Sequence, residues 1–327
     1  MIRLAVLDDW QGVARSIVSW QPLEGRAEIV FFDGAFESEE DAALALAPFD
    51  IVLAMRERTA FPATLIDRLP RLKMIALTGA RSWTLDAAAC TARGIVVSRT
   101  GGERAVSATA ELALGLMLAA ARAIPVADAS MRDGRFQQGV PAGVILEGRT
   151  LGVIGLGKIG SRMARYGQAL GMEVLAWSQN MTEEAAAAAG ARRVERDELL
   201  ARSDAVSLHV VLSERTRGIL GARELALMKP GAILVNTSRG PLVDEAALVA
   251  ALREERIVAG LDVFDREPLR ADHPLRTLPG AVLTPHQGYG VREVYSQFFA
   301  ESVENVAAFL DGKPARLLNP EVLGRKG

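Results

Sequence analysis

A chain of 327 residues is too long for one ordinary hydrophobic core and points to two domains. Half of its residues are hydrophobic and 24% are charged, a globular balance with ample material for a core. A net charge of −2 without any basic stripe excludes a nucleic-acid footprint, because neutralising phosphates takes a surplus or a line of Lys and Arg.

The chain opens on Met1-Ile2-Arg3-Leu4-Ala5-Val6-Leu7, an apolar run too short for a signal peptide that ends on Asp8 and Asp9. It reads as a first strand over Leu4–Leu7. Further strands are expected at Ile51–Ala54, Met74–Leu77 and Ile95–Ser98, with a helix over Leu65–Leu69. The single cysteine, Cys90, cannot close an internal disulfide, so a reducing, cytoplasmic setting is expected. In its Ala-rich stretch it reads as a small buried apolar side chain rather than a nucleophile. A long helix follows around Ala108–Ala121. Its apolar part, Leu112–Ala121, is bounded by Glu111 and Arg122 and falls far short of the ~20 apolar residues of a membrane span.

A second series of strands is expected at Leu151–Gly155, Glu173–Trp177, Ala205–His209, Ala232–Asn236, Val258–Val263 and Ala281–Thr284. Helices Ile159–Leu170, Glu183–Ala189 and Glu245–Glu254 alternate with them. Such alternation predicts parallel sheets covered by helices, an α/β fold in two doubly wound blocks. A last helix, Arg292–Leu310, repeats Val294, Phe298, Val303, Val306 and Phe309 at helical spacing and needs an apolar surface to cover. Returning to the first block would make that domain discontinuous. No internal repeat at solenoid spacing is present.

Thr150 to Gly160 reads as a strand running into Gly155-x-Gly157-x-x-Gly160 and then a helix. The first glycine suits a tight turn, the second lets backbone approach a pyrophosphate, and the third permits close helix–strand packing. The helix N-terminus offers unpaired N–H donors to phosphates. The next strand should end at the adenosine ribose, where a carboxylate would bind the 2′-hydroxyl. Ser178-Gln179-Asn180 stands there instead, with neither that acid nor an arginine, so the choice between NAD and NADP stays open.

Three histidines are available for acid–base work: His209 closes a strand, His273 lies in a loop beside Pro274, and His286 follows the strand Ala281–Thr284. Ligands of open parallel sheets bind beyond the carboxyl ends of strands. Arg239 in Asn236-Thr237-Ser238-Arg239-Gly240, Glu267 in the run after Val263, and His286 all follow strands in this way. Their chemistry is complementary for a 2-oxo acid: a guanidinium holds the carboxylate, an imidazolium protonates the carbonyl oxygen as hydride reaches carbon, and a carboxylate orients the ring.

These residues carry a family resemblance. The chain resembles the D-isomer-specific 2-hydroxyacid dehydrogenases, the family of phosphoglycerate dehydrogenase, glyoxylate/hydroxypyruvate reductase and formate dehydrogenase, from about Met74 to Gly288. The match is densest over Met228-Lys229-Pro230-Gly231-Ala232 and Asn236-Thr237-Ser238-Arg239-Gly240-Pro241-Leu242-Val243-Asp244-Glu245. Gly260-Leu261-Asp262-Val263-Phe264 with Glu267-Pro268, and Thr284-Pro285-His286, complete it.

The resemblance implies a central Rossmann domain, residues 100–288, and a discontinuous flavodoxin-like substrate domain, residues 1–99 and 289–327. It implies that Arg239 binds the substrate carboxylate, that His286 is the proton donor and Glu267 its partner, and that backbone amides at Gly79 and Ala80 meet the carboxylate. NAD(H) or NADP(H), without a metal, would then lie along Gly155, Leu156, Gly157, Lys158, Ile159 and Gly160, the turn Ser178, Gln179 and Asn180, and His209, Val210, Val211 and Thr216. Thr237, Ser238, Arg239, Asp262, His286 and Gly288 would complete the cofactor site, Asp262 near the nicotinamide carboxamide. A homodimer through the cofactor domain is also implied, with a small-molecule partner and neither nucleic acid nor membrane.

Departures from the family pattern are visible. Arg81 stands where many members carry glycine, Val211 where a proline is common, and the ribose acid is missing. Formate dehydrogenase is disfavoured, since that branch pairs a glutamine with the histidine. Two alternatives remain: a non-catalytic, dinucleotide-sensing protein of the same fold, and a dehydrogenase for bulkier aryl or branched 2-oxo acids, with Trp83 shaping the pocket.

Overall fold

The structure, a computed structural model, describes residues 1–325. Five parallel strands form one sheet: β1 (Ile2–Val6), β2 (Ala27–Phe31), β3 (Ile51–Ala54), β4 (Met74–Leu77) and β5 (Val96–Arg99), ordered β2-β1-β3-β4-β5. Seven more form a second parallel sheet: β6 (Thr150–Ile154), β7 (Glu173–Trp177), β8 (Arg192–Arg193), β9 (Ala205–Leu208), β10 (Ala232–Asn236), β11 (Ile257–Leu261) and β12 (Ala281–Leu283), ordered β12-β11-β10-β9-β6-β7-β8. The first order is flavodoxin-like and the second is the Rossmann order extended by one strand. Each reverses direction once, at β1/β3 and at β6/β9.

The chain divides into two compact units. Unit 1 is Met1–Arg104 with the chain from Gly290 onward, and unit 2 is Ala105–Tyr289. Strands buried on both faces explain the unbroken apolar runs: every residue of β3, β4 and β10 is buried. In unit 1, Phe49, Phe61, Leu65, Ile66 and Leu69 pack on one face of the sheet. The helix Arg292–Leu310 buries Val294, Phe298, Phe299, Val303 and Val306 within the same unit and packs on β4 and β5. Its buried Asn305 donates Nδ2–H to the carbonyl of Arg99 at 3.0 Å, which ties the helix to the end of β5. Cys90 is fully buried, and burial pushes its thiol up to about 12, far from a thiolate.

The helix Glu103–Ala121, in unit 2 from Ala105 onward, places Ala113, Leu116, Met117 and Ala120 in that unit's core beside Leu151, Val153, Ile233 and Val235. It is the one helix among the described residues long and apolar enough to cross a membrane, and its inward stripe is that of a core helix. It starts at Glu103 rather than near Ala108.

Two strands carry too little signal to be expected. β2 is a half-buried edge strand, and β8 is two arginines paired only with β7. Other differences fall at ends. β1 begins at Ile2 because Ile2 and Arg3 pair with β2; β6 stops at Ile154, where Gly155 turns with φ 97°; β9 stops at Leu208, β11 at Leu261 and β12 at Leu283, one or two residues before the expected limits.

Candidate active site

All strands of the second sheet run the same way, so the residues that follow them line one edge of unit 2. Along that edge stand His286 after β12, Asp262 and Glu267 after β11, Thr237 to Arg239 after β10, His209 after β9, the glycine turn after β6 and Ser178 after β7.

His286 Nδ1 lies 2.5 Å from Glu267 Oε2. Glu267 is itself fixed, because its Oε1 accepts the Phe264 amide at 3.0 Å. The residue bearing the imidazole has left-handed backbone, φ 50°, and its amide closes a tight turn onto the carbonyl of Thr284 at 3.0 Å. Buried Asp262 holds that turn: it accepts Thr284 Oγ1–H at 2.6 Å, the Gln287 amide at 2.8 Å and the Gly288 amide at 2.9 Å. Burial raises the Asp262 carboxyl above its ordinary value, and these donors pull it back. The Tyr289 ring stands edge-on to His286, centroids 6.2 Å apart.

Arg239 is half-buried and donates Nη1–H to the carbonyl of Ser238 at 2.7 Å. Asn236 organises its turn, donating to the carbonyl of Arg239 at 2.9 Å and accepting the Ser238 amide at 3.0 Å, while Ser238 Oγ donates to the carbonyl of Leu208 at 2.8 Å. Gly240 is required by close approach. A Cβ there would run into the backbone of Phe264 and Asp265, so only glycine lets the arginine turn lie against the turn that carries Glu267.

The glycine turn has the shape a pyrophosphate needs. Gly155 has φ 97° and touches the backbone of His209, and Gly160 packs directly on the carbonyl of Gly155. A Cβ added at Gly157 would meet nothing within 4 Å, and the residue stands at the N-cap of the helix Lys158–Ala169 without a side-chain cap, leaving the amides of Lys158 and Ile159 to an anion. Leu156 and Ile159 are half-buried and Lys158 is exposed.

Two buried polar atoms on the same edge have no partner among the described residues: His209 Nδ1 and Thr237 Oγ1. Buried atoms of this kind demand a partner, and a nucleotide along the edge would supply one. His209 Nε2 meets Ser207 Oγ at 2.8 Å, and burial lowers the ring to about 4, so it is neutral at pH 7. The following loop holds half-buried Val210 and exposed Val211, and Thr216 closes it by donating Oγ1–H to the carbonyl of Val211 at 2.6 Å. At the ribose turn Ser178 is half-buried while Gln179 and Asn180 are exposed. An arginine does stand there: Arg193, on the unexpected strand β8, donates Nε–H to the carbonyl of Met181 at 3.0 Å.

Gly79 and Ala80 follow β4 in unit 1. Gly79 is buried with φ 79° and its amide donates to Thr100 Oγ1 at 2.7 Å, so exposed Ala80 is the member of the pair with its amide left to a ligand. Arg81 and Trp83 are exposed, Trp83 at 69%.

A family model for the "D-isomer specific 2-hydroxyacid dehydrogenase, NAD binding domain" matches residues 114–288. The chain belongs to this family. It is thus an oxidoreductase built on a nicotinamide-binding Rossmann domain. Among its relatives, a glyoxylate reductase of Aeropyrum pernix is 40% identical over 84% of this chain and 88% of its own length. A D-3-phosphoglycerate dehydrogenase of Methanocaldococcus jannaschii is 40% identical over 81% of this chain, which spans only 50% of that longer protein. The crystal structure of a phosphoglycerate oxidoreductase from Vibrio cholerae superposes with a TM-score of 0.90 at 36% identity, over 95% of this chain and 100% of that one.

Sequence patterning missed the part of Asp262 as anchor of the histidine turn, the part of Asn236 in the arginine turn, and Arg193. The first two bind residues of their own or a later loop through contacts that no periodicity encodes, and Arg193 sits in a strand too short to show one.

Proposed function

We propose that this dehydrogenase transfers hydride between a nicotinamide dinucleotide and a small 2-oxo acid or D-2-hydroxy acid, with Arg239 holding the carboxylate and His286–Glu267 serving as the proton donor pair. The observation that carries the reading is the 2.5 Å contact between His286 Nδ1 and Glu267 Oε2. With Nδ1 committed to a carboxylate, Nε2 is the ring nitrogen left to protonate a carbonyl oxygen, and the carboxylate fixes the orientation of the ring.

When bound, the nicotinamide supplies the hydride. The chain does the rest. Arg239 grips the carboxylate and orients the carbonyl. As negative charge gathers on the carbonyl oxygen, Nε2 releases its proton to it and the ring becomes neutral, still hydrogen-bonded to Glu267. In oxidation the neutral ring takes the hydroxyl proton back.

Glyoxylate and hydroxypyruvate are the first substrates to test, beside pyruvate and phenylpyruvate, each with NADH and NADPH and followed by nicotinamide absorbance. A His286→Ala variant that matched wild type on its best substrate would remove the assigned proton donor. Cofactor binding without turnover across the panel would favour a sensing protein.

The same reading makes the chain a cytoplasmic homodimer joined through unit 2. Ile124, Val126, Met131, Phe136, Val144 and Ile145 are exposed within one stretch of that unit, apolar side chains that a second copy would cover. Sedimentation of wild type and of a Phe136→Asp, Ile145→Asp double variant tests it, a wild-type monomer being the contrary result.

A further inference from the structure

Unit 1 carries a buried acid that the proposed chemistry does not use. Asp8 follows β1, is only 6% exposed and has left-handed backbone, φ 59°. Both features cost stability, and such costs concentrate where function needs them. Its neighbour Asp9 is also buried but has an ordinary task, accepting the amides of Val13 and Ala14 at the start of a short helix. The Oδ2 of Asp8 instead accepts Thr59 Oγ1–H at 2.9 Å, from the turn after β3, and the Thr59 amide and Trp10 side chain also bond to its carboxyl.

That turn leads to the substrate loop. Arg56, again left-handed with φ 54°, donates its amide to Thr78 Oγ1 at 2.9 Å. Its guanidinium lies against Gly79, where an added Cβ would stand 2.5 Å from Nη1. Gly79 is pinned from the other side by Thr100 after β5. Asp8, the Arg56–Thr59 turn, Thr78–Gly79 and Thr100 therefore form one run of contacts across the carboxyl ends of β1, β3, β4 and β5, of which β1 and β3 flank the reversal point of this sheet.

We propose that Asp8 is a positioning residue: by holding Thr59 it fixes the Arg56–Thr59 turn, which buttresses Gly79 and so sets where the Ala80 backbone meets the substrate carboxylate. The proposal rests on the 2-oxo acid reading above. Glycine at position 79 suits the left-handed backbone there, φ 79°, and the Arg56 guanidinium occupies the space beside it. This positioning role explains why an acid is kept where the backbone is strained and solvent is excluded.

The experiment is a steady-state series on the intact enzyme: Asp8→Ala, Thr59→Val, their double variant, and Thr59→Ser, which keeps the hydroxyl. Asp8→Ala and Thr59→Val should each raise KM for the 2-oxo acid about tenfold, with kcat within about threefold of wild type. Affinity for NADH or NADPH, read by fluorescence titration, should not move. The double variant should be no worse than the poorer single one, because both cut the same link, and Thr59→Ser should restore KM to within about twofold. Unchanged KM in Thr59→Val, a Thr59→Ser as impaired as Thr59→Val, or a parallel loss of cofactor affinity overturns the proposal while leaving the reaction assignment standing. Absence of wild-type turnover on every 2-oxo acid overturns both.

Discussion

Beyond the second sheet, reactive side chains are held by other side chains: Glu267 grips His286, Asp262 grips the turn beneath it, and Asn236 shapes the arginine turn. Beyond the first sheet the backbone itself is bent into place, with left-handed conformations at Asp8, Arg56 and Gly79 locked by the hydroxyls of Thr59, Thr78 and Thr100. The winding is the same in kind, but in the proposed reading one edge moves a proton and a hydride and the other holds an anion still. The contrast teaches that a doubly wound sheet supplies only an edge, and that the chemistry comes from what each loop bonds to.

The comparison can be broken most sharply at His286. His286→Ala should lower kcat by about 10²–10⁴-fold, the usual worth of a general acid, while cofactor affinity stays within about twofold. Stopped-flow turnover with parallel fluorescence titration reads both. Arg239→Ala comes next: kcat/KM for the 2-oxo acid should fall by roughly 10²-fold or more, and Arg239→Lys should recover only part, since an ammonium lacks the two-pronged fork. Equal activity of the lysine variant would argue against paired hydrogen bonds to the carboxylate.

A gentler break tests the support rather than the reacting groups. Asp262→Asn keeps the shape but replaces one acceptor oxygen with a donor against the Thr284, Gln287 and Gly288 donors. It should cost about tenfold in kcat and speed amide exchange at Gln287 and Gly288, because a buried donor left unmatched loses its protection.

The smallest effect concerns pH and unit 1. Burial raises the Asp8 carboxyl to about 6 against Thr59, Trp10 and the nearby Arg58, while the unfolded chain keeps the ordinary value of 3.8. Between these values the folded protein binds more protons than the unfolded one, so this group's contribution to stability falls as pH rises through that window. The loss of melting temperature on Asp8→Ala should therefore be greatest near pH 4 and shrink by a few degrees (roughly 2–6 °C) by pH 8. A loss that grew with pH would mean the carboxylate is stabilised as a charge, and the two edges would then be more alike than the geometry indicates.

Much of this was legible before the structure. The unbroken apolar runs of β3, β4 and β10 mark strands buried on both faces, and Gly155 and Gly160 mark the dinucleotide turn because a side chain would run into backbone there, while Gly157 leaves the start of the helix open. The strand-end positions of Arg239, Glu267 and His286 were readable for the same reason, since position after a parallel strand is a property of sequence order. β2 and β8 were not readable, because an edge strand needs no strong pattern to pair once a neighbour is in place.

By itself, then, the sequence determined the two-block α/β architecture, the glycine turn and the strand-end positions of the groups proposed to react, all of which rest on local periodicity and on the order of residues along the chain. Only tertiary structure decided which oxygen meets which nitrogen. That Asp262 binds residues 22 to 26 positions later, and that Asp8 reaches Thr59 from 51 positions away, depends on loops brought together by sheet packing. A hydrogen bond is sensitive to fractions of an ångström, and the pattern of apolar residues along a chain specifies position only to the width of a strand.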